Sequence, residues 1–315
     1  MSAFNGKRVL VTGGTGSFGN VIVPRLLKET VKEVIVFSRD EEKQFDMKNR
    51  IKDNRLKFII GDVRDRETVL ESVDADIVYH AAALKIIPAM EEFPLESVKT
   101  NLLGTLNVRE ACLKNNVHLA LFISTDKAVK PVNVYGMCKA LAEKIWISPH
   151  KGSVLLSAIR YGNVVGSRGS VVPFFLELIR QNRPLPITHP LMTRFWLTLE
   201  QAIRLVFTAT ERTKGGEIFI PKCPASKITD LATAIAGEDY ALEITGVRPG
   251  EKIHETLINE EEMRRIERKL GHFVVKPYGT EHRNADCLNE YTSATAKQLN
   301  VEEIRSLLRE AGFIK

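Results

Sequence analysis

A glycine-rich segment near the start of the chain constrains the fold more than any other feature. Residues Thr12–Gly19 read TGGTGSFG, and they lie between a β-branched run, Arg8–Thr12, and an amphipathic stretch, Val21–Lys28. Glycines at this spacing allow a tight turn and a close approach of backbone to a pyrophosphate, and the following helix N-terminus offers free N–H groups. Because the segment joins a first strand to a helix, it predicts a dinucleotide-binding unit; a purely structural turn is the alternative.

Short apolar runs alternate with helix-length segments through the first half of the chain. The predicted strands are Arg8–Thr12, Glu33–Phe37, Leu56–Ile60, Ile77–His80, Leu119–Ser124 and Leu155–Arg160. The predicted helices are Val21–Lys28, Arg66–Val73, Leu95–Asn115 and Val134–Ile147. Strands that alternate with helices form parallel sheets, and strands that are apolar on both sides are covered on both faces. The predicted fold class is therefore α/β, a Rossmann-type doubly wound parallel sheet.

The pattern changes after Tyr161, where glycine, proline and polar residues are denser and the elements are shorter. We expect a smaller C-terminal substrate-binding lobe there, ending in a helix over Val301–Gly312. The predicted cofactor-binding domain comprises residues 1–162 and about 194–221, and the predicted lobe and tail comprise about 163–193 and 222–315.

Composition excludes several classes of function. The chain has 315 residues and a net charge of +6, but its basic residues are interspersed with acidic ones, which favours small anionic ligands over nucleic acid. No apolar run approaches the roughly 20 residues that span a bilayer, and no signal-peptide core is present, so we expect a cytoplasmic protein without membrane contact. The cysteines are too scattered for a disulfide framework or a zinc site, and we expect reduced thiols and no metal. They are Cys112, Cys138, Cys223 and Cys287.

The end of the second predicted strand indicates the cofactor. It reads Ser38-Arg39-Asp40, with Lys43 one turn later. NAD-binding folds carry an acidic residue at this point to bind the ribose 2′-hydroxyl. A guanidinium would instead pair with a 2′-phosphate. The predicted cofactor is therefore NADP; the alternative, in which Asp40 binds the ribose and Arg39 is merely exposed, stays open.

A tyrosine and a lysine mark the predicted catalytic centre. Tyr135 and Lys139 are four residues apart on a predicted helix and therefore share a face. They follow a strand that ends in Ser124-Thr125. In this arrangement the lysine cation lowers the pKa of the tyrosine, which takes a proton from a sugar hydroxyl as hydride leaves for the cofactor. The spacing therefore predicts a redox centre that contains Thr125, Tyr135 and Lys139.

The remaining predicted cofactor contacts lie at the ends of neighbouring strands. Asp62 and Val63 follow the third strand and are placed to cap the adenine, and the alanines after the fourth strand let the cofactor lie flat. The complete predicted set is Gly13, Thr15, Gly16, Ser17, Phe18, Gly19, Ser38, Arg39, Asp40, Lys43, Asp62, Val63, Ala81, Ala82, Ala83, Lys85, Asn101, Tyr135, Lys139 and Val164.

The whole chain resembles the extended short-chain dehydrogenase/reductases, and specifically the 5-inverting UDP-N-acetylglucosamine 4,6-dehydratases that begin bacterial pseudaminic acid synthesis. The motifs that carry the resemblance are TGGTGSFG (Thr12–Gly19), FSRDE (Phe37–Glu41), GDVRD (Gly61–Asp65), HAAALK (His80–Lys85), KTN (Lys99–Asn101), STDKAVKPVNVYG (Ser124–Gly136), RYGNVVGSRGSVVPFF (Arg160–Phe175), MTRFW (Met192–Trp196), GGEIFIPK (Gly215–Lys222) and RPGEK (Arg248–Lys252).

The resemblance implies a dehydration with three stages: oxidation at C4, loss of water across C5 and C6, and return of hydride to C6. It implies that Asp126 protonates the departing C6 hydroxyl and that Lys127 handles the C5 proton. Dehydratases that retain the C5 configuration carry Asp-Glu at these two positions. Lys127 can act in this way only if its pKa falls well below the usual value of about 10.4. A structural ion pair is the alternative for these two residues.

The predicted substrate contacts combine the resemblance with phosphate chemistry. The segment that ends at Val171 precedes a helix expected near Pro173, which suits a diphosphate. Arg194 and Arg248 are candidate diphosphate clamps, because arginine pairs bidentately with phosphate, and Glu251 could accept from a uridine ribose hydroxyl. The predicted set is Lys85, Asn163, Arg168, Gly169, Ser170, Val171, Thr188, Arg194, Arg248 and Glu251.

Two other functions compete with the dehydratase. A UDP-sugar 4-epimerase, acting on UDP-N-acetylglucosamine or UDP-glucose, needs a single base, so Asp126 and Lys127 argue against it. A catalytically idle NADP-binding sensor is disfavoured because Tyr135 and Lys139 are both present. By analogy with the family we expect a homo-oligomer, from dimer to hexamer.

Overall fold

A central β-sheet with helices on both faces organises the chain. The computed structural model describes residues 2–167, 169–280 and 289–314. The strands are β1 (Arg8–Thr12), β2 (Glu33–Ser38), β3 (Leu56–Ile60), β4 (Ile77–His80), β5 (Leu119–Thr125), β6 (Leu155–Tyr161), β7 (Asn163–Val164), β8 (Leu185–Ile187), β9 (Thr193–Leu197), β10 (Ile218–Pro221), β11 (Ala225–Lys227), β12 (Leu242–Ile244), β13 (Thr256–Ile258), β14 (Ile266–Arg268), β15 (His272–Val275) and β16 (Tyr291–Thr292).

The helices occupy the connections between these strands. They are α1 (Gly19–Leu26), α2 (Glu41–Arg50), α3 (Arg66–Ser72), α4 (Ile87–Glu92), α5 (Pro94–Ser97), α6 (Gly104–Lys114), α7 (Val134–Trp146), α8 (Val171–Arg180), α9 (Leu199–Arg212), α10 (Ile228–Ala236), α11 (Glu260–Met263) and α12 (Val301–Glu310). A π-helical segment, Val98–Leu103, joins α5 to α6, so the single helix predicted over Leu95–Asn115 is observed in three parts.

The large sheet has the strand order β14-β15-β10-β6-β5-β4-β1-β2-β3. Its strands from β10 to β3 are parallel, and at one edge β15 runs antiparallel to both of its neighbours, β10 and β14. The predicted doubly wound α/β fold is confirmed, and each of the six predicted strands is present with its end within one residue. The chain reverses its direction of progress between β1 and β4, and ligands of such sheets bind in the crevice at that point.

Two apolar cores lie on the two faces of this sheet. On one face, α1 and α9 contribute Ile22 and Val206. On the other, α6 and α7 contribute Val108, Ala142 and Trp146. Because the central strands are buried on both sides, their polar side chains are confined to the strand ends, where the crevice lies.

A third core belongs to a smaller lobe. Helices α8, α10 and α12 supply Phe175, Leu231 and Leu308 to it, and β9 supplies Trp196. The predicted division into domains stays a prediction. The prediction did not include one feature of the sheet: β14 and β15, which come from the predicted lobe, extend the large sheet.

A buried cluster of ion pairs connects α11, in the lobe, to helix α7. Arg160, on β6, donates from Nη1 and Nη2 to both carboxylate oxygens of Glu262 at 2.8 Å, and from Nε to Glu143 of α7 at 3.2 Å. The same guanidinium donates to the Leu257 carbonyl at 2.8 Å. Since breaking a buried pair leaves an uncompensated charge, this cluster holds residues 257–262 in a fixed position relative to α7.

The structure also reports on the cysteines and on membrane contact. Cys112, Cys138 and Cys223 are buried free thiols, whereas Cys287 lies outside the described residues. Among the residues that the structure describes, no helix combines the length and the apolar character needed to cross a bilayer.

Candidate active site

The glycine loop packs tightly against the segment that follows β4. Gly13 has a φ of +66°, and a Cβ there would lie 2.8 Å from the backbone N and Cα of Ala82. A Cβ on Gly19 would lie 1.9 Å from the carbonyl oxygen of Gly14. Side chains are therefore excluded at these glycines, and backbone alone lines this part of the crevice between β1 and β4. Such a surface fits the close approach of a pyrophosphate.

Asn20 fixes the shape of the loop, and sequence reasoning missed it. Its Nδ2 donates at 2.9 Å to the carbonyl oxygens of Thr15 and Gly16. Ser17 lies in the same turn, two residues before the start of α1. An asparagine in the first turn of a helix is too common to be noticed in a sequence, so this role emerges only from the fold.

Two of the three residues at the end of β2, Ser38 and Asp40, form hydrogen bonds within the protein. Ser38 is buried, and its hydroxyl accepts from Thr15 Oγ1 at 3.2 Å. Asp40 is the N-cap of α2: its carboxylate accepts from the backbone N–H of Lys43 at 3.0 Å and also binds the Lys43 ammonium. The Asp40 carboxylate is therefore engaged within its own helix cap.

Arg39 remains available for a ligand. Its side chain is 53% exposed, and its nearest anionic partner is Asp62, with Nη1 at 3.5 Å from Oδ2. That carboxylate is bound more closely by Arg64, whose Nη2 lies 2.6 Å away. Burial opposes ionisation of Asp62, but hydrogen bonds and charge from Arg64 outweigh it and lower its pKa. Arg39 is thus half-exposed at the end of β2, and a phosphate could displace Asp62 from its weak ion pair with this residue.

Three predicted cofactor contacts bury their side chains in the apolar cores. Phe18 packs in the core beneath α1, and Val63 and Val164 belong to the core on the opposite face. Val63 lies so close to Gly104 that a Cβ on the glycine would be 2.7 Å from its Cγ2. The side chains of these three residues pack within the protein, and their contact with a cofactor stays a prediction.

The loop after β4 is held by Asn101. Its Oδ1 accepts from the backbone N–H of Leu84 at 2.8 Å, and its Nδ2 donates to the Leu84 carbonyl at 2.8 Å and to Ser97 Oγ at 3.0 Å. The side chain is committed to the protein, so Asn101 acts by positioning the loop of Ala81, Ala82 and Ala83.

His80, at the end of β4, is a structural residue. Its Nδ1 and Nε2 bond to the hydroxyls of Thr12 at 2.7 Å and Thr105 at 3.0 Å. Burial, reinforced by the charge of Lys139, lowers the pKa of His80 to about 3. The ring is therefore neutral, and it links the ends of β1 and β4.

The catalytic residues predicted at the end of β5 are brought together. Asp126 is fully buried, and its Oδ1 accepts from Thr125 Oγ1 at 2.9 Å and from Lys127 Nζ at 3.1 Å. Its Oδ2 is a buried oxygen without a hydrogen-bond partner. Burial, with a smaller contribution from Glu255, raises the pKa of Asp126 against the opposing effect of Lys127. A carboxyl group whose pKa is raised in this way suits a general acid.

The pKa of Lys127 moves in the opposite direction to the one that a base for the C5 proton requires. Its Nζ lies between Asp126 Oδ1 at 3.1 Å and Glu255 Oε1 at 3.2 Å. Burial disfavours the ammonium, but the two carboxylates outweigh it and raise the pKa of Lys127. The site as it stands does not meet the condition of a lowered pKa, because Asp126 and also Glu255, which the sequence did not reveal, face the ammonium.

Tyr135 and Lys139 share the predicted helix face, but their electrostatics differ from the prediction. Tyr135 hydrogen-bonds to Thr125, and burial raises its pKa to about 12 with Lys127 as the opposing cation. Lys139 donates to the Ile123 carbonyl at 2.5 Å, and burial lowers its pKa to about 7. The expectation that Lys139 lowers the pKa of Tyr135 is therefore wrong here, since its amine faces β5.

Two predicted substrate contacts offer buried polar atoms without partners. Asn163 Oδ1 and Ser170 Oγ have no hydrogen-bond partner among the residues that the structure describes. Ser170 directly precedes α8, which begins at Val171 and so two residues before the expected start. Gly169 has a φ of +72° in the same turn, and Arg168 lies outside the described residues. Unpaired polar atoms beside a helix N-terminus fit an anionic, hydroxyl-rich ligand.

The other predicted substrate contacts are more dispersed. Lys85 donates to Ser167 Oγ at 3.4 Å, which brings it to the same turn. Thr188 donates to the Met192 sulfur at 3.1 Å and lies in the lobe.

Arg194 is largely internal. Its Nη1 donates to the carbonyls of Thr193 at 2.7 Å and Ile253 at 3.2 Å, and its Nε lies 3.8 Å from Glu255. As a diphosphate clamp it would have to use its remaining N–H groups. Arg248 is exposed, and its backbone N–H donates to Glu251 at 3.4 Å.

Asn133 joins the Arg248–Glu251 loop to the catalytic helix. Its Oδ1 caps α7 by accepting from the Gly136 N–H at 2.7 Å, and its Nδ2 donates to the Gly250 carbonyl at 2.8 Å. One side chain thus positions the start of the helix that carries Tyr135 and the loop that carries two predicted substrate contacts.

Comparison with known proteins identifies the family. A family model described as polysaccharide biosynthesis protein matches residues 9–277. The chain belongs to this family. Within the polysaccharide biosynthesis family, the inverting UDP-N-acetylglucosamine 4,6-dehydratase of Campylobacter jejuni is 45% identical over 281 residues, which cover 87% of this chain and 84% of the relative. The UDP-glucose 4-epimerase of Rickettsia prowazekii is 40% identical over 334 residues, which cover 99% and 98%.

A solved structure has the same architecture. The X-ray structure of Pen from Bacillus thuringiensis superposes with a TM-score of 0.92 at 34% identity and covers 99% of each chain. The short-chain dehydrogenase/reductase fold that the motifs predicted is confirmed. The two enzyme relatives bear different activities in their names, so membership of the polysaccharide biosynthesis family does not by itself choose between them.

Lys252 and Glu255 are the charged residues of this site that sequence reasoning missed. Lys252 donates to the Val129 carbonyl at 2.5 Å, and burial lowers its pKa. Glu255 is buried among Lys127, Arg194 and Lys252. The available signal was the run EKIHE, which directly follows RPG in this member of the polysaccharide biosynthesis family. Charged residues in a loop usually face solvent, so the signal did not single them out.

Proposed function

We propose that this enzyme is an NADP-dependent 4,6-dehydratase of UDP-N-acetylglucosamine that inverts C5 and releases a UDP-4-keto-6-deoxy-N-acetylhexosamine. The observation that carries the proposal is the buried Asp126–Lys127 pair beside Thr125 and Tyr135. An epimerase needs one group that exchanges a proton with the C4 hydroxyl. A dehydratase also needs an acid for the C6 hydroxyl and a base for C5, and this pair supplies both kinds of group.

Three features of the crevice fit a nicotinamide dinucleotide, which when bound supplies reversible oxidation and reduction of the sugar. The backbone surface around Gly13 would hold the pyrophosphate. Arg39 would hold the 2′-phosphate, and the engagement of Asp40 in its helix cap favours this over binding of an unphosphorylated ribose by Asp40. Tyr135 and Lys139 would lie along the nicotinamide ribose.

The hydroxyls of Tyr135 and Thr125 form a path for the first proton. Thr125 donates to Asp126, so the Tyr135 hydroxyl can donate to Thr125. A proton taken by Tyr135 from the C4 hydroxyl would pass through Thr125 to Asp126. The raised pKa of Asp126 favours this transfer. Asp126 then holds the proton that the departing C6 hydroxyl requires to leave as water.

Lys127 would take the C5 proton, which the C4 ketone makes acidic. It can do so only as a neutral amine. Protonation of Asp126 removes one of the two carboxylates that stabilise the Lys127 ammonium, so arrival of the first proton at Asp126 lowers the pKa of Lys127. The Lys127 ammonium would then release its proton to solvent, and the neutral amine would accept the C5 proton, so oxidation at C4 prepares the base for C5.

The polar atoms of the turn before α8 would bind the rest of the substrate. Asn163 Oδ1 and Ser170 Oγ are unpaired and buried, and Lys85 reaches the same turn. Arg194, Arg248 and Glu251 would contact the nucleotide from the lobe.

The competing function is a UDP-sugar 4-epimerase, because a relative of that name matches nearly the whole chain. Mass spectrometry of the nucleotide sugar distinguishes the two. The enzyme loaded with NADP should convert UDP-N-acetylglucosamine into a product lighter by one water molecule. A product of unchanged mass with inverted C4 would contradict the proposal and support the epimerase.

A further inference from the structure

Glu255 reaches into the site from the segment between the Arg248–Lys252 loop and β13. Its Oε1 lies 3.2 Å from Lys127 Nζ and 3.8 Å from Arg194 Nε, and its Oε2 lies 3.8 Å from Lys252 Nζ. The side chain is 3% exposed. Burying a carboxylate so completely is costly unless it is paired, so its position calls for an explanation.

The backbone of Glu255 is anchored independently of these charges. Its N–H donates to Ser293 Oγ at 2.9 Å, and the Ser293 N–H donates to the Glu255 carbonyl at 2.8 Å. The Ser293 hydroxyl is bonded in turn to Thr193 Oγ1 at 2.7 Å. Two residues further along, the Leu257 carbonyl accepts from Arg160. The carboxylate is therefore held beside Lys127 by the fold.

The charges that face Lys127 come from four segments. Asp126 is its neighbour in the chain, and Glu255 approaches from the lobe. Arg194 of β9 disfavours its ammonium. Burial lowers the pKa of Lys85 and of Lys252, and the charge of Lys127 adds to this effect. Tyr135 is the remaining titratable group beside it. When Asp126 is protonated, Glu255 is the one carboxylate among these groups that still carries a negative charge. It then faces Lys127, Arg194 and Lys252.

We propose that Glu255 is a positioning residue that holds the Lys127 amine beside Asp126 and sets the pH at which this amine releases its proton. The part of the inference that concerns catalysis rests on the proposed function, in which Lys127 takes the C5 proton. The part that concerns the charge of Lys127 rests on the geometry of the site.

The sign of the effect follows from the charges. An anion beside an amine favours the ammonium, so removing the charge of Glu255 lowers the pKa of Lys127. Glu255→Gln keeps the shape and removes the charge, and it should move the Lys127 midpoint down by about one pH unit or more, which corresponds to about tenfold in the proton equilibrium. Glu255→Asp keeps the charge but withdraws it by one methylene, and it should give a smaller downward shift.

Competitive acetylation measures this midpoint without turnover. The NADP-loaded proteins are treated with limiting acetic anhydride across a pH series, and the acetylated fraction of each lysine is read by peptide mass spectrometry. Lys227, an exposed lysine outside the site, serves as the internal reference. Glu217→Gln is the matched control, because Glu217 is also a buried glutamate, but its carboxylate accepts from Thr213 Oγ1 at 2.8 Å ahead of β10, at the opposite end of the parallel strands from Lys127.

The expected result is a lower Lys127 midpoint in Glu255→Gln, a smaller shift in Glu255→Asp, and none in Glu217→Gln. Equal midpoints in the wild type and both Glu255 variants would overturn the proposal, and so would an equal shift in the control. If Glu255→Gln does not fold, Glu255→Asp decides the matter by the same criterion.

The pH dependence of dehydration separates this inference from the proposed function. If Lys127 is the base, the rising limb of the kcat profile should move to lower pH in Glu255→Gln together with the labelling midpoint. A purely structural role would lower kcat at every pH without moving the limb. If the midpoint moves while the wild type forms no dehydrated product, the proposed function fails and the role of Glu255 in setting the charge of Lys127 stands.

Discussion

Lys127 Nζ lies 3.1 Å from Asp126 Oδ1 at the end of β5, in a site where the carboxylate is fully buried. Adjacent residues of opposite charge are common in proteins and usually face solvent. Here the strand end turns directly into a 3₁₀ turn, Asp126–Ala128, and the Lys127 ammonium contacts both Asp126 and the buried Glu255. The same two residues can therefore exist as an ion pair or, after a proton moves to the carboxylate, as an acid beside a base.

Removal of the Lys127 amine tests its role as the base. Lys127→Ala should lower kcat for dehydration by about 10²-fold or more, the usual contribution of a general base, while the Kd for NADP stays near that of the wild type. Product formation and calorimetric titration with NADP measure the two quantities. The matched control is Lys130→Ala, which removes a surface lysine paired with Glu260 and should retain activity. Loss of NADP affinity in Lys127→Ala would instead indicate a structural role.

The preference for NADP depends on Arg39. Arg39→Glu should weaken NADP binding by about 10- to 100-fold, the value of a lost charge-assisted hydrogen bond, and should favour NAD. Calorimetric titration of both dinucleotides gives the ratio. Lys48→Glu makes the same change of charge at another exposed position, on α2, and controls for the overall field. An unchanged ratio in Arg39→Glu would defeat the assignment of the 2′-phosphate to this residue.

The contact between the glycine loop and the segment after β4 should be intolerant of any side chain. Gly13→Ala places a Cβ 2.8 Å from the backbone of Ala82 and should lower both the melting temperature and the stabilisation by added NADP. Gly6→Ala is the control, because Gly6 has a similar φ of +68° but no atom within 4 Å of the added Cβ. Equal effects in the two variants would show that backbone strain, and not close packing, determines the outcome.

The buried amine of Lys139 predicts a pH dependence of stability. Burial lowers its pKa in the folded protein to about 7, whereas the unfolded chain keeps the ordinary value of 10.5. Between these pH values the unfolded state binds more protons, so the free energy of unfolding contributed by this group rises with pH from about 7 to about 10.5. Below pH 7 the charged amine is destabilising.

Lys139→Met should remove this contribution. Chemical denaturation at pH 6, 8 and about 10 should show the variant gaining most relative to the wild type at the lowest pH, with the difference shrinking as the pH rises. A difference that is constant over this range would mean that the amine is not destabilised by burial in the folded protein.

The fold was predictable because its signals are local. Each central strand is a short apolar run, and the segment Thr12–Gly19 joins the first of them to a helix, so strand positions and their parallel arrangement follow from the sequence. The edge strands β14 and β15 were missed because they are short and lie in a region rich in charged residues, where only pairing with β10 makes them strands.

The site was predictable where residues are close in sequence and much less so where they meet through the fold. Tyr135 and Lys139 share a helix face, and Asp126 and Lys127 share a turn, so their proximity could be inferred. Glu255 approaches Lys127 from more than a hundred positions away, and nothing in the sequence specifies that contact. The pKa of Lys127 is raised because two carboxylates face its ammonium; Asp126 was evident as its neighbour in the sequence, whereas the buried Glu255 was not.

The central claim, that Lys127 and Asp126 dehydrate a UDP-linked sugar with inversion at C5, is tested most directly by proton NMR of the reaction in deuterated water. The NADP-loaded enzyme with UDP-N-acetylglucosamine should give a 4-keto-6-deoxy product that has deuterium at C5 and the inverted configuration there. A C4 epimer that keeps its C6 hydroxyl and its C5 proton would contradict the account.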